Sequence, residues 1–465
     1  MSLIRLVQFL LVVVLTIVRT VCGVPGVSVV SNTLLDPQGI FFVSYDGVVN
    51  VNSFQQSAVI AFGNFQYAAW YTASGTAVIG RRTLPSGSWT TLQLPHKLST
   101  SDSHNVISLG ISPSDGVIHV ALDCHSTQLY YTRSEANLAT SGASWVASRF
   151  GTITNNLGNL NIGSQITYPQ FVVTPSNLLQ FVFRTGVSGN GATQLAEYIS
   201  GAWNNVGSWA SATGTYTAPS GATSTLRNLY IHGFTYHGTR AYVTGTWREQ
   251  NGAVACSSSG LTNHDTVYFY SDDSGRTWFN TAGTKVGTSG SSPINVNTAG
   301  IIVDSLNADH ALMNQESQTV DSAGRIHSII SYVPGRFTQC VPDYETGRPQ
   351  WAHAFHLYQA ANGSFIKFEI PYYIQSVGRS QIVLDSQDNA YVFMPFLRVA
   401  TASKSSGYTD WAMAYNGTAA GLDVFGEVTL DRARAGNGLV SVLYQVSSTG
   451  TTPSSVHLVD FKLGG

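Results

Sequence analysis

The chain has 465 residues, 43% of them hydrophobic and only 10% charged, with 45 glycines, 22 tyrosines and 21 phenylalanines. That mixture excludes a disordered chain or a coiled coil and leaves ample material for a large core. The 23 basic and 25 acidic groups give a formal net charge of −2 with no basic run, so no phosphate-tracking surface is evident and nucleic acid is not an expected partner.

At the N-terminus Arg5 precedes an apolar run from Leu6 to Val18, and Val21-Cys22-Gly23 follows. This is the pattern of a secretory signal peptide over residues 1–23. An uncleaved anchor is the alternative, but the run is shorter than the ~20 residues a membrane span requires. The mature chain, residues 24–465, is therefore expected to be secreted and extracellular, without membrane association. Cleavage would remove Cys22 and leave Cys124, Cys256 and Cys340, enough for one internal disulfide, and Cys256 with Cys340 is the expected pair. Two sequons, at Asn362 and Asn416, are expected to be glycosylated in a eukaryotic secretory route.

Short alternating runs of Val, Ile, Tyr, Phe and Thr, divided by Gly, Ser, Asn and Asp, predict an all-β chain. A repeated turn between two strands recurs at Ser114-Asp115-Gly116, Ser176-Asn177, His237-Gly238, Ser322-Ala323-Gly324, Gln387-Asp388-Asn389 and Gly436-Asn437-Gly438, with a weaker seventh before Tyr67-Ala68-Ala69-Trp70. The unit is about 63 residues, which suits a four-stranded propeller blade with generous loops. Ser271-Asp272-Asp273-Ser274-Gly275-Arg276-Thr277-Trp278 matches an Asp-box hairpin. A β-helix or a pair of sandwiches does not account for so long a period. The expected architecture is a single seven-bladed β-propeller over residues 24–465, a monomer.

In such a fold, residues about 8 to 12 before each repeated turn and 7 to 10 after it gather at one mouth. Before the turns stand His104, Tyr168, Tyr230, Gln315 and Arg379; after them stand His125, Arg184, Arg248 and Arg398. This set is polar, aromatic and basic with hardly a carboxylate, so the mouth is expected to bind an anion. Arg184 ends an apolar strand, a position that is costly for a cation unless an anion meets it. The neighbours Arg248 and Glu249 point to opposite faces and make no ready pair. Only seven glutamates occur, which weakens a two-carboxylate glycosidase. Cys256, His264, Cys340, His353 and His356 offer a possible structural metal set, though a disulfide explains the cysteines more simply.

The stretch Asp102 to His125 resembles the signature of secreted seven-bladed propellers with BNR-type repeats, a group that includes ulvan lyases, L-rhamnose-α-1,4-D-glucuronate lyases and related α-L-rhamnosidases. Thr167 to Phe171, Phe183 to Gly186, Ser188 to Gly191, Thr246 to Glu249, Asn263 to Asp265 and Asn314 to Ser317 extend the resemblance in the same order. The whole is most similar to the fungal rhamnose-glucuronate lyases that uncap gum arabic side chains. The resemblance implies a His and a Tyr as proton-transfer groups and an Arg that neutralises the uronate carboxylate: His104, Tyr168 and Arg184. It implies His125 and Tyr230 as helpers; Arg248, His264, Asn314 and Gln315, which lie in the matching motifs, and Arg379, placed by the turn spacing, are the further expected substrate contacts, and rhamnose-capped arabinogalactan, an acidic plant polysaccharide, is the implied partner. No metal or other cofactor is required if arginine neutralises the acid. The rivals are hydrolysis of the same linkage and a carbohydrate-binding propeller without catalysis.

Overall fold

The computed structural model describes residues 23–54 and 57–464; the expected signal peptide and Cys22 lie outside that range, apart from Gly23. Seven antiparallel sheets follow one another around an axis. Blade 1 is built from the strands Val59–Phe62, Phe65–Tyr71, Thr76–Thr83 and Thr90–Lys97. Blade 2 begins with Ser108–Ile111, blade 3 with Ile166–Val173, blade 4 with Arg227–His237, blade 5 with Ser317–Val320, blade 6 with Gln381–Leu384 and blade 7 with Thr429–Asp431. All seven turns found in the sequence join the first two strands of a blade.

The ring closes by sharing blade 7 between the two ends of the chain. Val27–Gly39 pairs antiparallel with Ser454–Leu463, from Val27 opposite Leu463 to Gly39 opposite Ser454. Burial follows the layering. The second strand of blade 2, Ile118–Leu122, is buried at every residue, because both of its faces pack against neighbouring sheets. The outer strand Thr90–Lys97 alternates exposed and buried from Thr91 to Lys97, because one face meets water. The Asp-box hairpin lies between Asn263–Ser271 and Thr277–Phe279. Asp273 Oδ1 accepts from the Thr277 and Arg276 N–H groups at 2.7 and 3.1 Å, and Trp278 is buried against Trp209, Phe234 and Phe269. No helix among the described residues is long and apolar enough to cross a membrane.

Two irregular segments shape the axial mouth. The hairpin Val43–Ser44 and Gly47–Val48 turns at Tyr45 and Asp46, with φ of 55° and 58°, the pair of left-handed residues that a two-residue hairpin turn requires. Its tip is fixed to the connection between blades 5 and 6, where Asp46 Oδ2 accepts from the Ser376 hydroxyl and the Val377 N–H at 2.9 and 3.0 Å. A side chain on Gly426 would run into the Asp46 carbonyl. On the other side the helix Tyr344–Trp351 follows a disulfide between Cys256 and Cys340. That bond takes both cysteines out of the metal set considered from sequence. Arg348 of the helix is fully buried at the axis and donates to the carbonyls of Ala311, Ser331 and Gly378.

Candidate active site

The first strands of the blades start on one face, and the residues there line a pocket of about 190 Å³. Its wall includes His104, His125, Tyr168, Tyr230, Arg248, Asn314 and Arg379, with Tyr45 and Tyr344 at the rim. Arg184 lies just beneath, with Gln315, around a small void of about 20 Å³. Seven of the ten proposed site residues thus share one pocket and two more sit under its floor. His264 does not reach it. It is fully buried, with Nδ1 3.0 Å from Asp265 and Nε2 3.0 Å from Glu249, and its ring stacks 3.6 Å from Tyr216. Its role is therefore corrected to a support inside blade 4, because both ring nitrogens already serve carboxylates. Arg398 is likewise spent on the Tyr373 and Ile374 carbonyls and on Gln375.

One aromatic path links the proton-bearing groups. His104 stacks on His125 at 4.3 Å between centroids, His125 on Tyr168 at 5.8 Å, and Tyr168 stands 6.2 Å from Tyr230. The path is assembled by strand pairing. His125 pairs with Thr167, and the Tyr168 N–H donates to the Cys124 carbonyl at 3.2 Å. Tyr168 has a φ of 52°, at the register shift between Thr167 and Gln170, and this bulge re-aims its side chain.

The three pocket arginines are not equivalent. Arg379 is neutralised by Glu427 at 2.7 Å and donates to Asn314 at 3.0 Å. Arg184 is 4% exposed, and none of its three guanidinium nitrogens meets an acceptor at hydrogen-bond geometry. It lies between two phenol rings, 5.2 Å from the centroids of both Tyr168 and Tyr230. Arg248 has no ion pair among the described residues, while its neighbour Glu249 faces away to pair with Arg227. A buried guanidinium with unmet donors is a built place for a carboxylate.

The same cations separate the two tyrosines. Burial opposes ionisation of Tyr230, but Arg184, Arg248 and the Ser188 hydroxyl outweigh it and pull its pKa below that of an ordinary phenol. Tyr168 is pushed the other way by burial and by the adjacent Tyr230. Burial also lowers the pKa of His104, and the carboxylate of Asp102 only partly restores it.

Sequence reasoning found few of the acids behind this site. Asp102 bridges His104 and His125, each at 2.6 Å. Glu427, fully buried, binds Arg379 and the N–H and hydroxyl of Ser53. Glu316 accepts from the Ser331 hydroxyl and lies near Arg348 and Arg379; burial raises its pKa to about 7. The donor atoms of Asp102, His104 and His125 lie within 4.8 Å of one another, but both imidazole Nδ1 atoms are engaged with the carboxylate.

A family model for BNR repeat-containing members matches residues 65–371. The chain belongs to the BNR repeat-containing family. Among curated relatives, this BNR-repeat protein is 23% identical over 180 residues to the long isoform of an ulvan lyase from Alteromonas sp. It is 25% identical over 180 residues to one from Pseudoalteromonas sp. (strain PLSV). Each match covers 30% of this chain and 18% of the relative's length. Among solved structures, the polysaccharide lyase Uly1 superposes with a TM-score of 0.70 at 17% identity, over 93% of this chain and 99% of that one. An ulvan lyase bound to -[GlcA(1-4)Rha3S]- gives 0.63 at 14% identity, over 94% and 96%. The BNR-repeat propeller is thus related to ulvan lyases in fold and in part of its sequence.

Proposed function

We propose that this protein is a secreted polysaccharide lyase that removes L-rhamnose linked α-1,4 to D-glucuronate by β-elimination, as at the caps of arabinogalactan side chains. The observation that carries this reading is Arg184, a buried guanidinium with unmet donors between two phenols that themselves line the pocket holding the imidazole pair. The C5 proton of a uronate is weakly acidic, because its removal builds charge on the adjacent carboxylate. A planar cation in a water-poor site stabilises that charge most.

In this scheme Arg184, helped by Arg248, holds the carboxylate. His104, whose lowered pKa keeps it neutral near pH 7, takes the C5 proton at Nε2. Tyr230, made a better acid by the two arginines, protonates O4 as the C4–O4 bond breaks. Tyr168 packs its ring against Arg184 and His125. Rhamnose leaves, and the glucuronate keeps a C4–C5 double bond. The C5 hydrogen and O4 of a glucuronate lie on the same side of the ring, so one cluster can serve both. The pocket volume suits a single sugar, and the rim formed by Tyr45 and Tyr344 favours attack at a chain end. The exposed sequons Asn362 and Asn416 agree with glycosylation in a secretory route. The ligand of an ulvan lyase of the same fold, -[GlcA(1-4)Rha3S]-, likewise joins a glucuronate to a rhamnose unit, there in the Rha3S form.

Purified protein incubated with rhamnose-capped arabinogalactan is expected to release rhamnose together with a rise in ultraviolet absorbance from the new double bond. Rhamnose without absorbance would make the protein a hydrolase; binding with neither signal would make it a lectin.

A further inference from the structure

Asp102 joins two segments that the chain brings in separately. Its Oδ1 accepts from the His104 Nδ1 at 2.6 Å and its Oδ2 from the His125 Nδ1 at 2.6 Å, and the two rings stack with an interplanar angle of 21°. A carboxylate only accepts, so both imidazoles carry their proton on Nδ1. Each Nε2 is then left on the far side of its ring, in the pocket wall and without a partner among the described residues. The backbone holds this arrangement: the His104 N–H also donates to Asp102 Oδ1 at 2.9 Å. Around His125, three L-residues, Asp123, Cys124 and Ser126, take left-handed φ values of 62°, 77° and 55°, strain of the kind that accumulates where a side chain must be aimed.

The charges that face the two rings are few. Asp102 is the acid in contact with them; Arg379 adds a positive charge, and Tyr45, Tyr168 and the apolar Phe54 complete the surroundings. One added proton makes the cluster of Asp102 and two imidazoles neutral. A second would place two imidazolium ions face to face beside Arg379, which Coulomb repulsion opposes.

We propose that Asp102 is a positioning residue that pins both histidines in the Nδ1–H form and lets the pair accept one proton and no second, so that His104 meets the substrate with a bare Nε2. This rests on the lyase reading. In the step it serves, the C5–H bond breaks, its electron pair becomes the C4–C5 double bond, and the proton goes to His104 Nε2. The C4–O4 pair goes to oxygen, which takes the proton of Tyr230. The imidazolium formed stays bonded to Asp102 and returns its proton to the phenolate through solvent.

The test uses the full chain labelled with ¹⁵N-histidine. In the wild type at about pH 8, long-range ¹H–¹⁵N spectra are expected to show Nδ1–H and bare Nε2 for both rings. On acidification one proton is expected to be shared by the pair, and the acid limb of kcat/KM should have a slope of about one. In Asp102→Asn the amide offers one acceptor and one donor, so one ring must flip to Nε2–H. Turnover is expected to fall about 100-fold with KM little changed, and the acid limb should move to lower pH. Nε2–H in both wild-type rings, independent uptake of two protons, or an unshifted limb in Asp102→Asn would overturn the proposal. If the wild type eliminates no uronate, the lyase reading falls, while the spectra and titration, taken without substrate, still decide the histidine pair.

Discussion

Arg184 brings a positive charge to a place that is 4% exposed and where none of its nitrogens meets an acceptor at hydrogen-bond geometry, an arrangement that lowers stability unless function retains it. Arg184→Met is accordingly expected to raise resistance to urea by about 1–3 kcal/mol while removing elimination. Arg184→Lys should keep the charge yet lose at least about 100-fold in kcat/KM, because a point charge cannot grip a carboxylate with two parallel bonds. Denaturant melts and initial rates on the same variants check both. Glu316 gives the pH counterpart. Its pKa is raised from 4.5 to about 7 by burial, against the pull of Arg348. Folding therefore favours the protonated acid, so its stabilising contribution is whole below the unfolded value and is lost as pH rises through about 7. Glu316→Gln cannot ionise, and the melting temperature of the variant relative to wild type is expected to increase between about pH 5 and pH 8. A difference constant over that range would show that folding does not raise the Glu316 pKa.

At the scale of strands and loops, the two halves of the histidine pair are held together by a buried carboxylate. Asp123, fully buried, accepts from the Tyr71 hydroxyl, from the Ser99 N–H at 2.9 Å and from His96 at 3.1 Å. It thereby ties the loop that carries Asp102 and His104 to the strand end that carries His125. Burial works against its ionisation, but these donors outweigh it and lower its pKa. The stability it supplies is present above the unfolded value and lost as pH falls through the folded one. Asp123→Asn is expected to destabilise the protein by about 1.5–3 kcal/mol and to lower kcat more than affinity, since the loop loosens at its root; urea melts with steady-state kinetics measure both. The hairpins around this loop were legible in the sequence, because a turn between two alternating runs is written in consecutive residues. So was the convergence of His104, Tyr168 and Tyr230, which follows from counting along strands. Glu427 and Asp46 were not legible, because their partners lie far apart in the chain: Glu427 meets Ser53, and Asp46 meets Ser376 and Val377. His264 was placed among the pocket residues by the Asn263–Asp265 resemblance, and its stacking on Tyr216 and its bonds to Glu249 and Asp265 are tertiary contacts that a motif does not show.

On the scale of the whole ring, one strand pairing closes the circle and a second tie braces two neighbouring blades. Non-covalent closure comes from Val27–Gly39, which completes blade 7 against the C-terminal strand. The second tie, Cys256–Cys340, spans 84 residues and joins top-face loops of blades 4 and 5. Ser259 also bridges to Asp343 there, one residue before the helix that presents Tyr344 to the pocket rim and sends Arg348 to the axis. Leu261 of the same tethered loop lines the pocket from the opposite strand of this tie. Cross-linking a loop of this length restricts the unfolded chain by about 4–5 kcal/mol. The double variant Cys256→Ser, Cys340→Ser is expected to lose stability of that order. It should also weaken substrate binding several-fold while kcat changes less, because the tether holds the Tyr344 wall and not the imidazoles, the phenols or Arg184. Equal losses in kcat and kcat/KM would instead mean that the wall acts on the transition state. An unchanged KM would mean that Arg348 and the Ser259–Asp343 bridge hold the wall without the disulfide.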